Sequence, residues 1–175
     1  MGVWAGPFLI AALLLAAAGI AKTIDPTNTV GAFRGFGWHV PAAAVRAGGA
    51  TEALLAVVAV VTGAPAAAVA VAASYLLFTA FVVTARARHV PIGSCGCFGK
   101  VDTPPSAVHV VVNLGAAAAA VGVALGDGTG IADALADQPL VGIPFLLLVV
   151  VGTYAAFTAL TVVPQLRMLR VERPR

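Results

Sequence analysis

Charge is scarce in this chain: Asp, Glu, Lys and Arg make up 10% of its residues, where a soluble globular domain carries about 25%. That deficit excludes an ordinary water-soluble fold. Hydrophobic residues supply 61% instead, in uninterrupted runs, so the expected fold is an all-α integral membrane bundle of four to five transmembrane helices. With 175 residues the chain is expected to be one transmembrane domain, 1–175, without a separate soluble domain of ordinary size. Cysteine is nearly missing as well. Two are too few for a secreted disulfide scaffold, and their spacing is not that of a zinc ribbon or finger. No phosphate loop, serine triad, zinc-protease helix or carboxylate pair appears, so hydrolase and transferase chemistry has no motif here. The net charge of +3 does not point to nucleic acid, because the basic residues sit at the ends of apolar runs rather than on a binding motif. The first apolar run lacks a basic leader and continues to Lys22, so it reads as a retained span.

What is present can be divided by its breakers. Residues 1–21 are uncharged, and a helix of that length rises about 30 Å, the thickness of a hydrocarbon core. Span one is placed at about 2–21, ended by Lys22 and Asp25. Asp25-Pro26 then offers a helix cap followed by proline. Segment 26–38, with Val30 and Phe33 on one side and Phe36 and Trp38 following, is expected to be interfacial, its aromatics at headgroup level. Residues 53–85 are too long for one upright crossing, and Gly63-Ala64-Pro65 divides them into spans at about 47–63, with a start nearer Pro41 left open, and 65–85. A loop at 86–104 holds both cysteines. Further spans are expected at about 105–125 and 139–163, the latter marked by Pro144 and Pro164, with a basic tail at 164–175.

The charges test this count. Five crossings put all ten Lys and Arg residues on one side, whereas a single crossing over 53–85 would divide them between both. The positive-inside tendency then predicts an outside N-terminus, with the C-terminus and the cysteine loop at the cytoplasmic face of a plasma (inner) membrane. Small residues at helical spacing, Gly115, Ala118, Gly122 and Gly126 in the fourth span and Ala66, Ala70 and Ser74 in the third, are expected to support close packing.

Glu52 is the acidic residue inside a span, and a carboxylate in hydrocarbon is unfavourable by roughly a few kcal/mol unless it has a partner and a purpose. Candidate partners are Lys22, Arg46 and His109, with Asn113 one turn beyond His109 on the same face. A polar cluster of Lys22, Glu52, His109 and Asn113 is expected beneath the cysteine loop; a simple helix-locking pair of Glu52 with Lys22 or Arg46 is the structural alternative.

Cys95-Gly96-Cys97 can close a small disulfide ring, bind a soft metal ion or pack as thiols. As a staple the ring is poor: closing about three residues is worth about 1.6 kcal/mol by chain entropy, before strain. A strained ring is easily reduced, which suits exchange chemistry. Gly96 permits the tight geometry, and Arg88, His89 and Lys100 nearby favour a thiolate. Cu(I) would also suit two thiolates, with His89 or His109 as further ligands. The sequence names no cofactor: relaying electrons across the membrane from one face would require a quinone, a partner's thiols or large motion.

The run Cys95-Gly96-Cys97-Phe98-Gly99 between hydrophobic spans resembles the methylamine-utilisation MauE family, small multi-pass membrane proteins related to the DoxX group. The resemblance extends to Ala18-Gly19-Ile20-Ala21-Lys22 before Asp25-Pro26, to Phe36-Gly37 before Pro41, and to Glu52, over roughly residues 15–125. It implies maturation of the disulfide-rich small subunit of methylamine dehydrogenase beside a thioredoxin-like partner. On the matching positions it implicates Cys95 and Cys97 as a redox pair, then Lys22 and Glu52. The broader expectation is a thiol-redox maturation factor for a disulfide-containing client; a Cu or Hg binder or transporter and a non-catalytic assembly subunit are the other classes.

Overall fold

The computed structural model describes residues 3–90, 105–126 and 139–162. Among these residues every regular element is helical: α1 (Ala5–Ile24), α2 (Thr27–Gly35), α3 (Ala42–Thr62), α4 (Pro65–Ala87), α5 (Ala107–Leu125) and α6 (Pro139–Thr161). All but α2 are long and apolar enough to cross a membrane. This is a membrane helical bundle.

The breakers act through identifiable bonds. Gly63 takes the left-handed conformation, φ 60°, and its N–H closes α3 on Ala59, after which Pro65 opens α4 where a missing N–H does no harm. Asp25 serves two helices. Its N–H is bonded to the carbonyl of Ala21 at the end of α1, while Oδ1 accepts the N–H and the hydroxyl of Thr27 at the start of α2. Helix α3 begins at Ala42, the earlier of the two starts considered, and α1 runs past Lys22 to Ile24, so that Lys22 is a buried residue of the helix rather than its flank.

Helix α1 is the centre of the bundle. Half of its span is buried, against 11% for α6, which lies at the periphery on α1 and α5. Its widest contact is with α3, and α4 packs in the same way on α5. Leu15 of α1 and Val71 of α4 are fully buried in the main core. The hydroxyl of Tyr75 on α4 donates to the carbonyl of Ala11 on α1 at 2.6 Å, a buried bond that ties α4 to the central helix where lipid offers no alternative partner.

The expected small-residue stripes are not the packing faces. Gly115 and Ala118 of α5 and Ala66 of α4 are exposed; α5 instead buries Ala116, Ala117, Ala119 and Ala120, and α4 buries Ala67, Ala68, Val71 and Ala72. With alanine so abundant, several faces carry a small-residue rhythm, and neighbouring helices choose among them. Gly122 does sit at a close approach, since a Cβ there would lie 2.5 Å from the ring of Trp4. The tightest crossing is elsewhere, between Gly19 of α1 and Gly49 of α3. A Cβ on Gly19 would lie 2.5 Å from the Gly49 carbonyl oxygen, and one on Gly49 would lie 2.6 Å from that of Gly19. Only glycine lets two backbones meet so closely.

Candidate functional site

That crossing builds the site. Lys22 lies three residues after Gly19 and Glu52 three residues after Gly49, which is one helical turn in each case. Bringing the glycines together therefore sets the two charged side chains against each other, and Lys22 Nζ meets Glu52 Oε2 at 2.5 Å. The ammonium also lies over the ring of Phe78 on α4, 4.5 Å from its centroid, a cation–π contact. Glu52 stands ten residues before Thr62, about 15 Å along the helix axis, so the pair sits well within the α3 span. Arg46, the other basic partner considered, is exposed six residues earlier and forms no ion pair among the described residues.

The pair lines a cavity of about 540 Å³ bordered by α1, α2, α3 and α4. Phe33 and Phe36 of the α2 segment and Trp38 after it form one wall. Phe36 stacks on Trp38 with centroids 5.2 Å apart, and both phenylalanines pack on Phe81 of α4, at 5.8 and 5.0 Å. Segment 26–38 thus turns aromatic side chains onto the bundle, while Trp38 keeps half its surface exposed.

His109 and Asn113 are buried on α5, as their shared face implied, but in a different place. His109 Nδ1 is 2.9 Å from Ser106 Oγ, and both α5 residues line a separate cavity of about 20 Å³, room for roughly one water. Phe78 borders both cavities. The expected single cluster of Lys22, Glu52, His109 and Asn113 is therefore two sites divided by a phenylalanine ring. An apolar residue between polar ones gives no warning in the sequence. The equal Gly-to-charge spacing of Gly19 to Lys22 and Gly49 to Glu52 is the signal that would have revealed the crossing.

Cys95 and Cys97 lie outside the described residues, but the chain on either side of them is held. After α4, His89 takes the left-handed conformation, φ 50°, its N–H bonding Arg86 and that of Val90 bonding Ala85. This is the closing turn that glycine usually provides, and it packs Val90 beside Phe36 and Phe81. On the far side, Arg86 Nη1 donates to the carbonyl of Pro105 at 3.2 Å. Both flanks of the cysteine segment thus stand at the end of the bundle where Phe36 and Phe81 border the cavity. Among the described residues no group of three or more His, Cys, Asp or Glu is placed to hold a metal ion.

Helices of spanning length around a central helix, with one ion pair among the described residues and His109 and Asn113 buried beside it, define a multi-pass membrane protein with intramembrane polar sites. A family model described as methylamine utilisation protein MauE matches residues 1–126, and the chain belongs to that family. The match takes in α1 to α5 and leaves α6 beyond it. No curated protein and no solved structure matches the chain.

Proposed function

We propose that this MauE-family protein is a thiol-redox maturation factor of the plasma (inner) membrane. Cys95 and Cys97 exchange electrons with a thioredoxin-like partner in support of disulfide formation in an extracytoplasmic client. The family is described by methylamine utilisation, and the small subunit of methylamine dehydrogenase, the client that the resemblance of the cysteine motif implies, is one such candidate. The observation that carries the reading is the anchoring of both flanks of the cysteine segment, by the His89 turn and by Arg86, at the end of the bundle that holds the Lys22–Glu52 cavity. In this reading Lys22 and Glu52 manage protons or order the loop, and His109 fixes the start of α5 through Ser106. The described basic residues Lys22, Arg34, Arg46, Arg86 and Arg88 all belong to that end, by the alternation of the helices, which supports a cytoplasmic cysteine segment and C-terminus. A pair on that face needs a carrier to connect it with an extracytoplasmic client.

Replacement of both thiols tests the reading. A strain whose own copy carries Cys95→Ser/Cys97→Ser is expected to accumulate free thiols in its extracytoplasmic disulfide proteins to the level of a deletion strain, measured by differential alkylation and mass spectrometry. Thiol levels equal to those of the unaltered strain would show the cysteines to be dispensable and the reading to be wrong.

A further inference from the structure

The cavity opens sideways. Helices α3 and α4 are pinned together at Gly63 and then diverge, their mutual contact being far smaller than that of α1 with α3 or α4 with α5. The lining residues that remain exposed include Gly48 on α3 and Leu77 and Ala80 on α4, so the mouth lies between two spanning helices. A ligand would therefore enter from the acyl-chain region. The volume of about 540 Å³ is that of a small-molecule site.

Its chemistry is selective. One wall is made of aromatic rings, Phe36 and Trp38 stacked on each other with planes inclined by 23°, a stack that an aromatic or quinonoid ring can extend. At the inner end stand one ammonium and one carboxylate, with no net charge. The ammonium has donors beyond the one used on Oε2, and Glu52 Oε1 forms no hydrogen bond among the described residues. An anionic headgroup sharing Lys22 with Glu52 would leave a net negative charge uncompensated in the bilayer interior. A neutral ring bearing carbonyl oxygens would accept from Lys22 and leave the pair intact, and its hydroxyl form could donate to Glu52.

We infer that this cavity binds the head ring of a lipid-soluble quinone, stacked against the Phe36–Trp38 wall with a carbonyl oxygen at Lys22 and its tail leaving between α3 and α4. The inference rests on the cavity alone and draws on neither cysteine.

Trp38 supplies the test. The chain has two tryptophans, so a Trp4→Phe background in nanodiscs leaves Trp38 as the reporter, with decylubiquinone as the probe. Saturable quenching of Trp38 is expected. It should weaken at least tenfold in Lys22→Met/Glu52→Leu and in Gly48→Phe, and persist in Cys95→Ser/Cys97→Ser. Gly48→Phe is a safe plug, because a Cβ there meets nothing within 4 Å and Gly48 itself lines the cavity. Quenching that rises linearly and equally in the Gly48→Phe protein would reveal partitioning into lipid only and overturn the inference. Equal displacement of the probe by decanol or by phosphatidylglycerol would also overturn it, in favour of an acyl-chain or headgroup slot. Because the titration draws on neither cysteine, its outcome tests this inference alone, and the thiol reading is judged separately by the replacement of both cysteines in cells.

Discussion

Lys22→Met and Glu52→Leu should each destabilise the bundle by about 3–5 kcal/mol, and the double replacement Lys22→Met/Glu52→Leu should recover most of that loss. Each single change leaves the other group without its partner. The side chains are 8% and 20% exposed, so the residual charge finds little water, and within the α3 span it faces hydrocarbon. Replacing both by apolar groups of similar volume removes the uncompensated charge together with the bond. Unfolding followed by circular dichroism as SDS is titrated into mild detergent would give the four corners of the cycle. Coupling near zero, with the two single effects simply adding, would mean that the pair is not the buried interaction described here. The double variant also separates two roles. If the pair serves only to lock α1 to α3, a refolded double variant should keep its cellular function; if it manages protons or holds a ligand, function should stay lost while stability returns.

The second large effect is steric. Gly49→Ala and Gly19→Ala each place a methyl group 2.5–2.6 Å from a carbonyl oxygen of the facing helix, a separation that backbone atoms cannot accommodate without moving the helices apart. Overpacking of this kind costs about 1–3 kcal/mol by itself. Separation of α1 from α3 at this crossing also lengthens the Lys22–Glu52 bond one turn away, so the total should approach that of the ion-pair variants. Gly48→Ala and Gly115→Ala are the controls. Nothing lies within 4 Å of a Cβ at either position, and in a helix the exchange should be neutral or stabilising by up to about 1 kcal/mol. If the same SDS titration gave equal midpoints for Gly49→Ala and Gly48→Ala, the crossing would be placed wrongly.

The spans were legible because length, uncharged runs and Gly or Pro breakers are local signals. Gly63-Ala64-Pro65 divides α3 from α4 and Asp25-Pro26 separates α1 from α2 through bonds made within a few residues. Glu52 was visible as a charge out of place, and Lys22 as a partner within reach. What stayed hidden is what depends on the choice of facing surface. In a bilayer the lipid side of a helix is as apolar as its packed side, so hydrophobic periodicity does not say that Ala116 and Ala117 are inside and Gly115 and Ala118 outside. For the same reason Phe78 could not be foreseen between Lys22 and His109, nor could Phe36 and Phe81 be joined across 45 positions to wall a cavity. Tyr75, which ties α4 to α1, gives no local sign of its partner, a backbone carbonyl 64 positions away.

Cys95 and Cys97 are proposed to perform thiol–disulfide exchange, and exchange proceeds through a mixed disulfide that a single remaining cysteine can trap. Cells producing the full chain with Cys95→Ser or Cys97→Ser, quenched with acid and alkylated before non-reducing electrophoresis, report this directly. The account predicts that one of the two variants accumulates a reductant-sensitive adduct with a thioredoxin-like protein and that the other does not. Free, fully alkylated thiols in both variants, with no adduct in either, would contradict it.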